Sequence, residues 1–344
     1  MNMKRIVIAF LFFLLWSFEA QAQAPFYQGK TIRIVVGFSP GGSNDLWSRL
    51  TAQHMGRYVP GNPETMVQNM PGGGSMVAAN YVYNLAKPDG LTLGNLAPAL
   101  YFEQLMGRKE AQFDWSKFTW IGSPEQTEEV IYIRSDTPYK TIEDIRKAQE
   151  PPRCGAAGIG SVGHYFPKLL EEILDVKFNV VVGYPGAAEV HLAIEKGELH
   201  CRTGSISSFF DREPGRTWAK TGFVRALAQG GKKRDPRLPD VPTIYELMDR
   251  YRTPDAIRRL AKVLLSPGAL GRPMVSTPGI PPERVKILRE AYMKALNDPQ
   301  LLADVKRRGW EASPVSGAEL ETIAKEVIAQ PVEVIERMRG ILGK

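Results

Sequence analysis

The chain has 344 residues, 43% hydrophobic and 24% charged, with 32 Gly and 26 Pro. That is an ordinary globular composition, long enough for about two domains, and it excludes a coiled coil, collagen and a mostly disordered chain; two Cys and four His are too few for a multi-ligand zinc or iron–sulfur cluster. The net charge of +7 is spread along the sequence, and its densest cluster, Lys232-Lys233-Arg234 with Arg237, is broken by Asp235 and Pro236 without interleaved aromatics, so nucleic acid is not an expected partner.

The first element is a targeting segment. Lys4 and Arg5 precede an apolar run, Ile6–Phe18, that is too short for a spanning helix. Ala20-Gln21-Ala22 and Ala22-Gln23-Ala24 both fit a small-x-small cleavage site; cleavage after Ala22 is preferred because the other cut places Pro25 directly behind it. Residues 1–22 are therefore expected to be a signal peptide and the mature chain to be exported. No Cys lies near the cut to carry a lipid. No later segment reaches the roughly 18 apolar residues of a membrane span.

Strands and helices then alternate. Thr31–Phe38 is a short, β-branched run, the pattern of a buried parallel strand, and Asn44–Val59 follows as a helix. Met66–Gln68, Leu91–Leu96, Ile131–Ile133 and Arg153–Ala156 read as strands. His164–Leu174 is a helix, with Phe166, Leu169, Leu170, Ile173 and Leu174 on one face. Phe178–Val182 is a strand, Ala187–Lys196 a helix, and Leu199–Thr203 and Arg225–Ala228 are strands. Two amphipathic helices close the chain, one through Val285, Leu288, Tyr292, Ala295 and Leu296, the other through Leu320, Ile323, Val327 and Ile328. Such alternation predicts α/β layers on parallel sheets.

Three turns share one design: Ser39-Pro40-Gly41-Gly42-Ser43, Gly158–Gly163 and Gly183-Tyr184-Pro185-Gly186-Ala187. Each follows an apolar strand, is rich in Gly and opens a helix, whose N-terminus offers unpaired N–H groups and a positive dipole end to an anion. Glycines let the ligand approach the backbone, and Ser43 and Ser161 add hydroxyls. In open α/β sheets these turns gather at the carboxyl ends of the strands.

The second turn also matches G-x-G-x-x-G, but the acidic residue that a dinucleotide site wants after the next strand is missing, and no cofactor is expected. A secreted serine hydrolase would need Gly at 159 for its G-x-S-x-G elbow, and Ile stands there. His164 opens a helix and either donates to a ligand or packs beside the turn. Asp45 is suited to orienting turn N–H groups, or to meeting an ammonium on a ligand. Tyr184 can offer its hydroxyl or simply pack, and Trp47 is a core candidate. Cys154 and Cys201 lie late in strands that should be neighbours, so a disulfide and a pair of buried thiols both remain open.

These strings, taken together, resemble the periplasmic solute-binding receptors of tripartite tricarboxylate transporters, the TctC-like Bug family. Ile34–Leu50 (IVVGFSPGGSNDLWSRL) is similar to the family's opening strand, turn and Asp-x-x-x-Arg helix. Asn69–Ala79 (NMPGGGSMVAA) resembles its Asn-x-x-Gly-x-Gly segment, and Lys87–Leu93 (KPDGLTL) its Pro-Asp-Gly string. Gly158–His164 resembles Gly-x-Gly-[Ser/Thr]-x-x-His, and Tyr184–Ala187 resembles Tyr-x-Gly-Ala. Arg225–Ala228 and Pro236–Thr243 (PRLPDVPT) are similar to its last signature stretch, so the shared order covers nearly all of the mature chain.

The resemblance implies a type II periplasmic binding protein-like α/β fold: two doubly wound lobes, 23–130 with 229–344 and 131–228, joined by two crossovers with a ligand cleft between them. It implies a non-enzymatic periplasmic receptor, monomeric, that captures a small carboxylate and delivers it to an inner-membrane permease. A ligand sensor without a dedicated permease is the other binding role. Carried onto this sequence, the ligand-binding candidates are Ser39, Pro40, Gly41, Gly42, Ser43 and Asp45 of the first turn and Gly160, Ser161, Val162 and His164 of the second. Tyr184 and Gly186 of the third turn join them, with Ala97 and Ser205 at strand ends. Three features depart from the family: Pro185 lacks an N–H, Gly61–Thr65 is inserted, and Asp249–Pro282 is longer and more basic. None of the three turns holds an Arg or Lys, so N–H groups, hydroxyls and waters are expected to hold the carboxylate.

Overall fold

The structure is a computed structural model that describes residues 24–158 and 161–343; the predicted signal segment and the candidate Gly160 lie outside the described residues. The chain builds four strands of one sheet, crosses to build a second, and returns. The strands are β1 (Thr31–Val36), β2 (Glu64–Asn69), β3 (Thr92–Asn95), β4 (Thr119–Ser123), β5 (Glu129–Arg134), β6 (Arg153–Gly155), β7 (Asn179–Val181), β8 (Cys201–Ser205), β9 (Val224–Gln229), β10 (Met274–Ser276) and β11 (Val315–Ser316). The first sheet runs in the order β11-β4-β10-β3-β1-β2 and the second β7-β6-β8-β5-β9. The two crossovers therefore fall between β4 and β5 and between β9 and β10. No helix among the described residues is long and apolar enough to cross a membrane.

The sheets are mixed, which corrects the expectation of parallel sheets. β1 pairs parallel with β2 and β3, and β6 with β7 and β8. β5 lies antiparallel between β8 and β9, β10 antiparallel between β3 and β4, and β11 antiparallel beside β4. The reason lies in the crossovers. β5 and β10 are the strands the chain makes on entering a sheet from the other lobe, so neither is delivered by the strand–helix–strand unit that enforces parallel pairing. Each also carries a register shift where it is inserted, at Ile131/Tyr132 and at Met274/Val275.

β1 is buried from Ile32 onward except at the half-buried Arg33, as its four Ile and Val residues require. Ile32, Ile34 and Val36 pack on one side with Trp47, Leu50 and Met55 of the Ser43–Met55 helix, while Val35 faces the main core on the other. In the second lobe the Val162–Leu174 helix buries Phe166, Leu169, Leu170, Ile173 and Leu174. Cys154 and Cys201 stand directly opposite each other on β6 and β8, with Cα atoms 4.4 Å apart, and form a disulfide. The long basic segment Asp249–Pro282 contains β10 and, before it, a helix, Asp255–Leu270, that buries Ile257, Leu260, Ala261 and Leu264. It packs on the second lobe's Val162–Leu174 helix and on the first lobe's Gly317–Ile328 helix, so it bridges the two.

Candidate functional site

The Ser39–Ser43 turn leaves β1 and enters the Ser43–Met55 helix. Gly41 has φ +85°, in the left-handed region where a side chain would be strained. Asp45 is buried behind the turn and accepts from the Gly41 N–H at 2.9 Å, from Arg49 Nε at 2.9 Å and from Asn69 Nδ2 at 2.8 Å. Asn69, at the end of β2, also donates to the Phe38 carbonyl at 2.9 Å. Burial alone would raise the Asp45 pKa, but hydrogen bonds from Arg49, Gly41 and Asn69 outweigh it and hold the carboxyl below its usual range.

Across the cleft, Ser161 caps the Val162–Leu174 helix, yet its hydroxyl is spent inside its own turn, donating to the Gly158 carbonyl at 2.6 Å. The third turn approaches the first closely. A Cβ on Gly186 would lie 2.5 Å from Ser39 Oγ, so a side chain there would push the Ser39 hydroxyl aside. Ser39 Oγ donates to Glu189 Oε2 of the opposite lobe at 3.3 Å.

Between these walls lies a cavity of about 140 Å³. Ser39, Gly42, Ser43 and Ala97 line it from the first lobe; Ser161, Val162, Gly186 and Ser205 line it from the second. A chain of hydroxyls spans the gap: Ser43 Oγ to Ser208 Oγ at 2.7 Å, and Ser208 Oγ to Ser205 Oγ at 2.7 Å. Arg272 closes the chain, donating through Nη2 to Ser205 Oγ at 3.0 Å and to Ser208 Oγ at 3.3 Å. Its Nε is hydrogen-bonded to the buried carboxylate of Glu125. Arg202 stands on the second-lobe wall, bonded to His191, whose imidazole burial and Arg202 keep neutral. Glu129 also lines the cavity; burial pushes its carboxyl up to about 8, so it is mostly neutral near pH 7. The fixed charges at the cavity are thus Arg272 and Arg202 against Glu125, a net cation. Two buried polar atoms of residues at the wall, Asn44 Oδ1 and Thr203 Oγ1, have no hydrogen-bond partner among the described residues.

Several predicted residues stand off the cavity. Pro40 and Gly41 lie on the outer side of their turn, Gly41 facing a second, larger space, because the positive φ turns that peptide away. Asp45 braces the turn from behind instead of meeting a ligand. His164 is buried within its helix and held neutral, down to about 4, by desolvation and by Lys168 and Arg108. Tyr184 donates its N–H to the Ala156 carbonyl and packs its ring on the second-lobe core. Among the described residues, the Ser161 hydroxyl bonds to the Gly158 backbone and to no base, which gives a hydrolase role no support. The sequence reading missed Arg272, Arg202, Ser208 and Glu129. The expectation of a site without an arginine fails because Arg272 comes from the second crossover, far from any glycine turn.

The family model described as the tripartite tricarboxylate transporter family receptor matches residues 53–340. A Cupriavidus necator protein, known as the UPF0065 protein in the gbd 5' region, is 26% identical over 93% of this chain and 90% of its own length. Among solved structures, the periplasmic binding protein BugD superposes with a TM-score of 0.72 at 22% identity, covering 92% of this chain and 99% of its own. MatC of Rhodopseudomonas palustris, solved with bound malate, superposes at 0.69 with 21% identity, covering 91% and 99%. At these identities the two structures establish the fold, the two-lobed periplasmic-binding architecture.

Proposed function

Because this chain belongs to the tripartite tricarboxylate transporter receptor family, a family of binding receptors and not of enzymes, we propose that it closes its two lobes on a small organic carboxylate and passes it to an inner-membrane permease of the same system. The observation that carries this reading is the buried Arg272 guanidinium, fixed by Glu125 and joined to the Ser205–Ser208–Ser43 hydroxyl chain at a cavity that both lobes line. An ionised acid placed there gains a guanidinium, hydroxyl donors and the N–H groups of the Ser43–Met55 helix start. A cavity of about 140 Å³ suits a few heavy atoms, since about 150 Å³ accommodates benzene. The malate bound by the fold relative MatC is of this scale.

In this reading the ligand is touched by Ser39, Gly42, Ser43, Ala97, Ser161, Val162, Gly186 and Ser205, with Ser208, Arg202 and Arg272. The lobes are 23–130 with 229–344 and 131–228, and the receptor works as a single chain in the periplasm after cleavage near Ala22. The test is thermal unfolding of the chain freed of residues 1–22, against carboxylates and their neutral amides. A ligand at 100 times its Kd adds about 2.7 kcal/mol, a shift of a few degrees. The expected result is a shift confined to ionised acids and abolished by Arg272→Gln, with Arg272→Lys as the folding control. A silent panel on refolded, ligand-stripped protein overturns the reading.

A further inference from the structure

The inner cavity shares the wall formed by Gly42, Ser43, Ala187, Arg202 and Ser208 with a wider space of about 740 Å³ between the lobes. At its wall stands Arg212, which follows the Ile206–Asp211 helix and is only 7% exposed. Its guanidinium lies 4.2 Å from the ring centre of Trp310, which the other lobe contributes. Glu125 Oε1 is 3.7 Å from Arg212 Nη2, an ion-pair distance beyond hydrogen bonding, and that same oxygen is already held by Arg272. Among the described residues none of the three Arg212 guanidinium nitrogens, Nε, Nη1 or Nη2, makes a hydrogen bond. A buried guanidinium with its whole donor fork idle is costly unless something else fills it.

The surroundings favour an anion. Arg202 and Arg308 line the same space, with Arg308 stacked 5.1 Å from the Trp310 ring, while Arg216 and Arg307, also at this wall, are paired with Glu213 and Asp304. Of the three acids at this wall, Glu213 pairs with Arg216, Asp211 pairs with Arg237 and is pushed up to about 6 by burial, and Glu195 stands at the rim. Trp310 occupies one face of the Arg212 plane, which leaves the in-plane N–H edge as the way to bind, the geometry that suits a carboxylate fork.

We propose that this outer space is a second anion subsite, in which Arg212 on its Trp310 support takes a further anionic group of the ligand held at Arg272. The inference rests on the receptor reading above and narrows it: the ligand is an elongated acid with a second charged group, carboxylate, sulfonate or phosphonate. Glu125 sits between the two guanidiniums and keeps them apart without satisfying the outer one. The outer nitrogens are covered while Trp310 and Arg212 are in contact, so the anion enters with the lobes parted and is enclosed as they meet.

The test is calorimetric titration of the ligand-stripped mature chain with glutarate and adipate and with their monoamides, which keep the length and lose one charge. The dianion should bind the wild type at least tenfold more tightly than its monoamide. Arg212→Gln should weaken the dianion by roughly ten- to a hundredfold and leave the monoamide within about threefold. Arg212→Lys, which keeps the charge and loses the fork, should fall between; it also serves should Arg212→Gln fail to fold. Equal loss for both ligands would make Arg212 a lobe latch and overturn the subsite. Equal wild-type affinity for dianion and monoamide would overturn the subsite and leave the receptor reading standing. Binding of neither would overturn both.

Discussion

In the first lobe the cleft wall is held by side-chain hydrogen bonds: Asp45 ties Gly41, Arg49 and Asn69 together, and Asn69 reaches the Phe38 carbonyl. In the second lobe the wall is held covalently. The Cys154–Cys201 disulfide joins β6 to β8, the two strands whose ends deliver the Gly158–Ser161 turn and Ser205. The first device acts in the folded state, through a carboxylate whose ionisation and partners must all be kept. The second acts chiefly by restricting the unfolded chain and leaves the folded wall to the strand hydrogen bonds. One wall is therefore sensitive to substitution of a single acid, and the other to redox state.

The largest expected effect breaks the covalent wall. The bridge closes a loop with a sequence separation of 47, for which loop entropy predicts a loss of roughly 4 kcal/mol on removal. Urea unfolding of oxidised and reduced protein, or of a Cys154→Ala/Cys201→Ala double variant, should show that loss, while ligand affinity changes by less than about threefold. A large loss of affinity with little loss of stability would reverse the contrast. Next comes the polar wall. Asp45→Ala leaves the Gly41 N–H, the Asn69 amide and Arg49 without their shared acceptor, at about 2 kcal/mol by the cost of unsatisfied buried groups. Here affinity should fall along with stability, because the Gly42 and Ser43 positions depend on the turn. Unchanged affinity would show that the turn needs no brace.

Much of this wall was legible in the sequence. An apolar run, a Pro-Gly-Gly turn and a helix with an acid in its first turn can hardly be anything else, since each residue type answers a local demand. The disulfide was half legible, because neighbouring strands could be inferred but not the register that sets Cys154 opposite Cys201. What stayed hidden depends on distant partners. β10 has three residues and β11 two, too short for any periodicity, and they are strands only because β3 and β4 offer them edges. Asp255–Leu270 carries helical spacing at Ile257, Leu260, Ala261 and Leu264, but Pro267 within it argues locally against a helix running that far. Arg272, just beyond it, has no local signature at all. Its role comes from Glu125 and Ser205, 147 and 67 residues away.

The smallest expected effect probes the place where the two walls meet. Glu129 begins β5 at the end of the first crossover; its carboxyl accepts from the Tyr165 hydroxyl at 3.1 Å and has no ion-pair partner among the described residues. Burial raises it from its ordinary value near 4.5 to about 8. Between those values the folded chain holds a proton that the unfolded chain has released, so this group's contribution to stability falls as pH rises through that window. The histidines act in the opposite sense at lower pH. Burial lowers His54, His164, His191 and His200 below the ordinary 6.5, so each takes up a proton on unfolding and costs stability as pH falls through about that value. These groups cancel in the difference between the wild type and Glu129→Gln, so that difference isolates Glu129, with a slope of at most about 1.4 kcal/mol per pH unit. Urea unfolding of both between about pH 6 and 8 should show the wild type losing stability relative to the variant as pH rises. Two profiles that run parallel would mean that Glu129 is ionised. The cavity would then carry Glu125 and Glu129 against Arg272 and Arg202, with no net charge, and the case for an anionic ligand would rest on hydrogen bonding and the helix start alone.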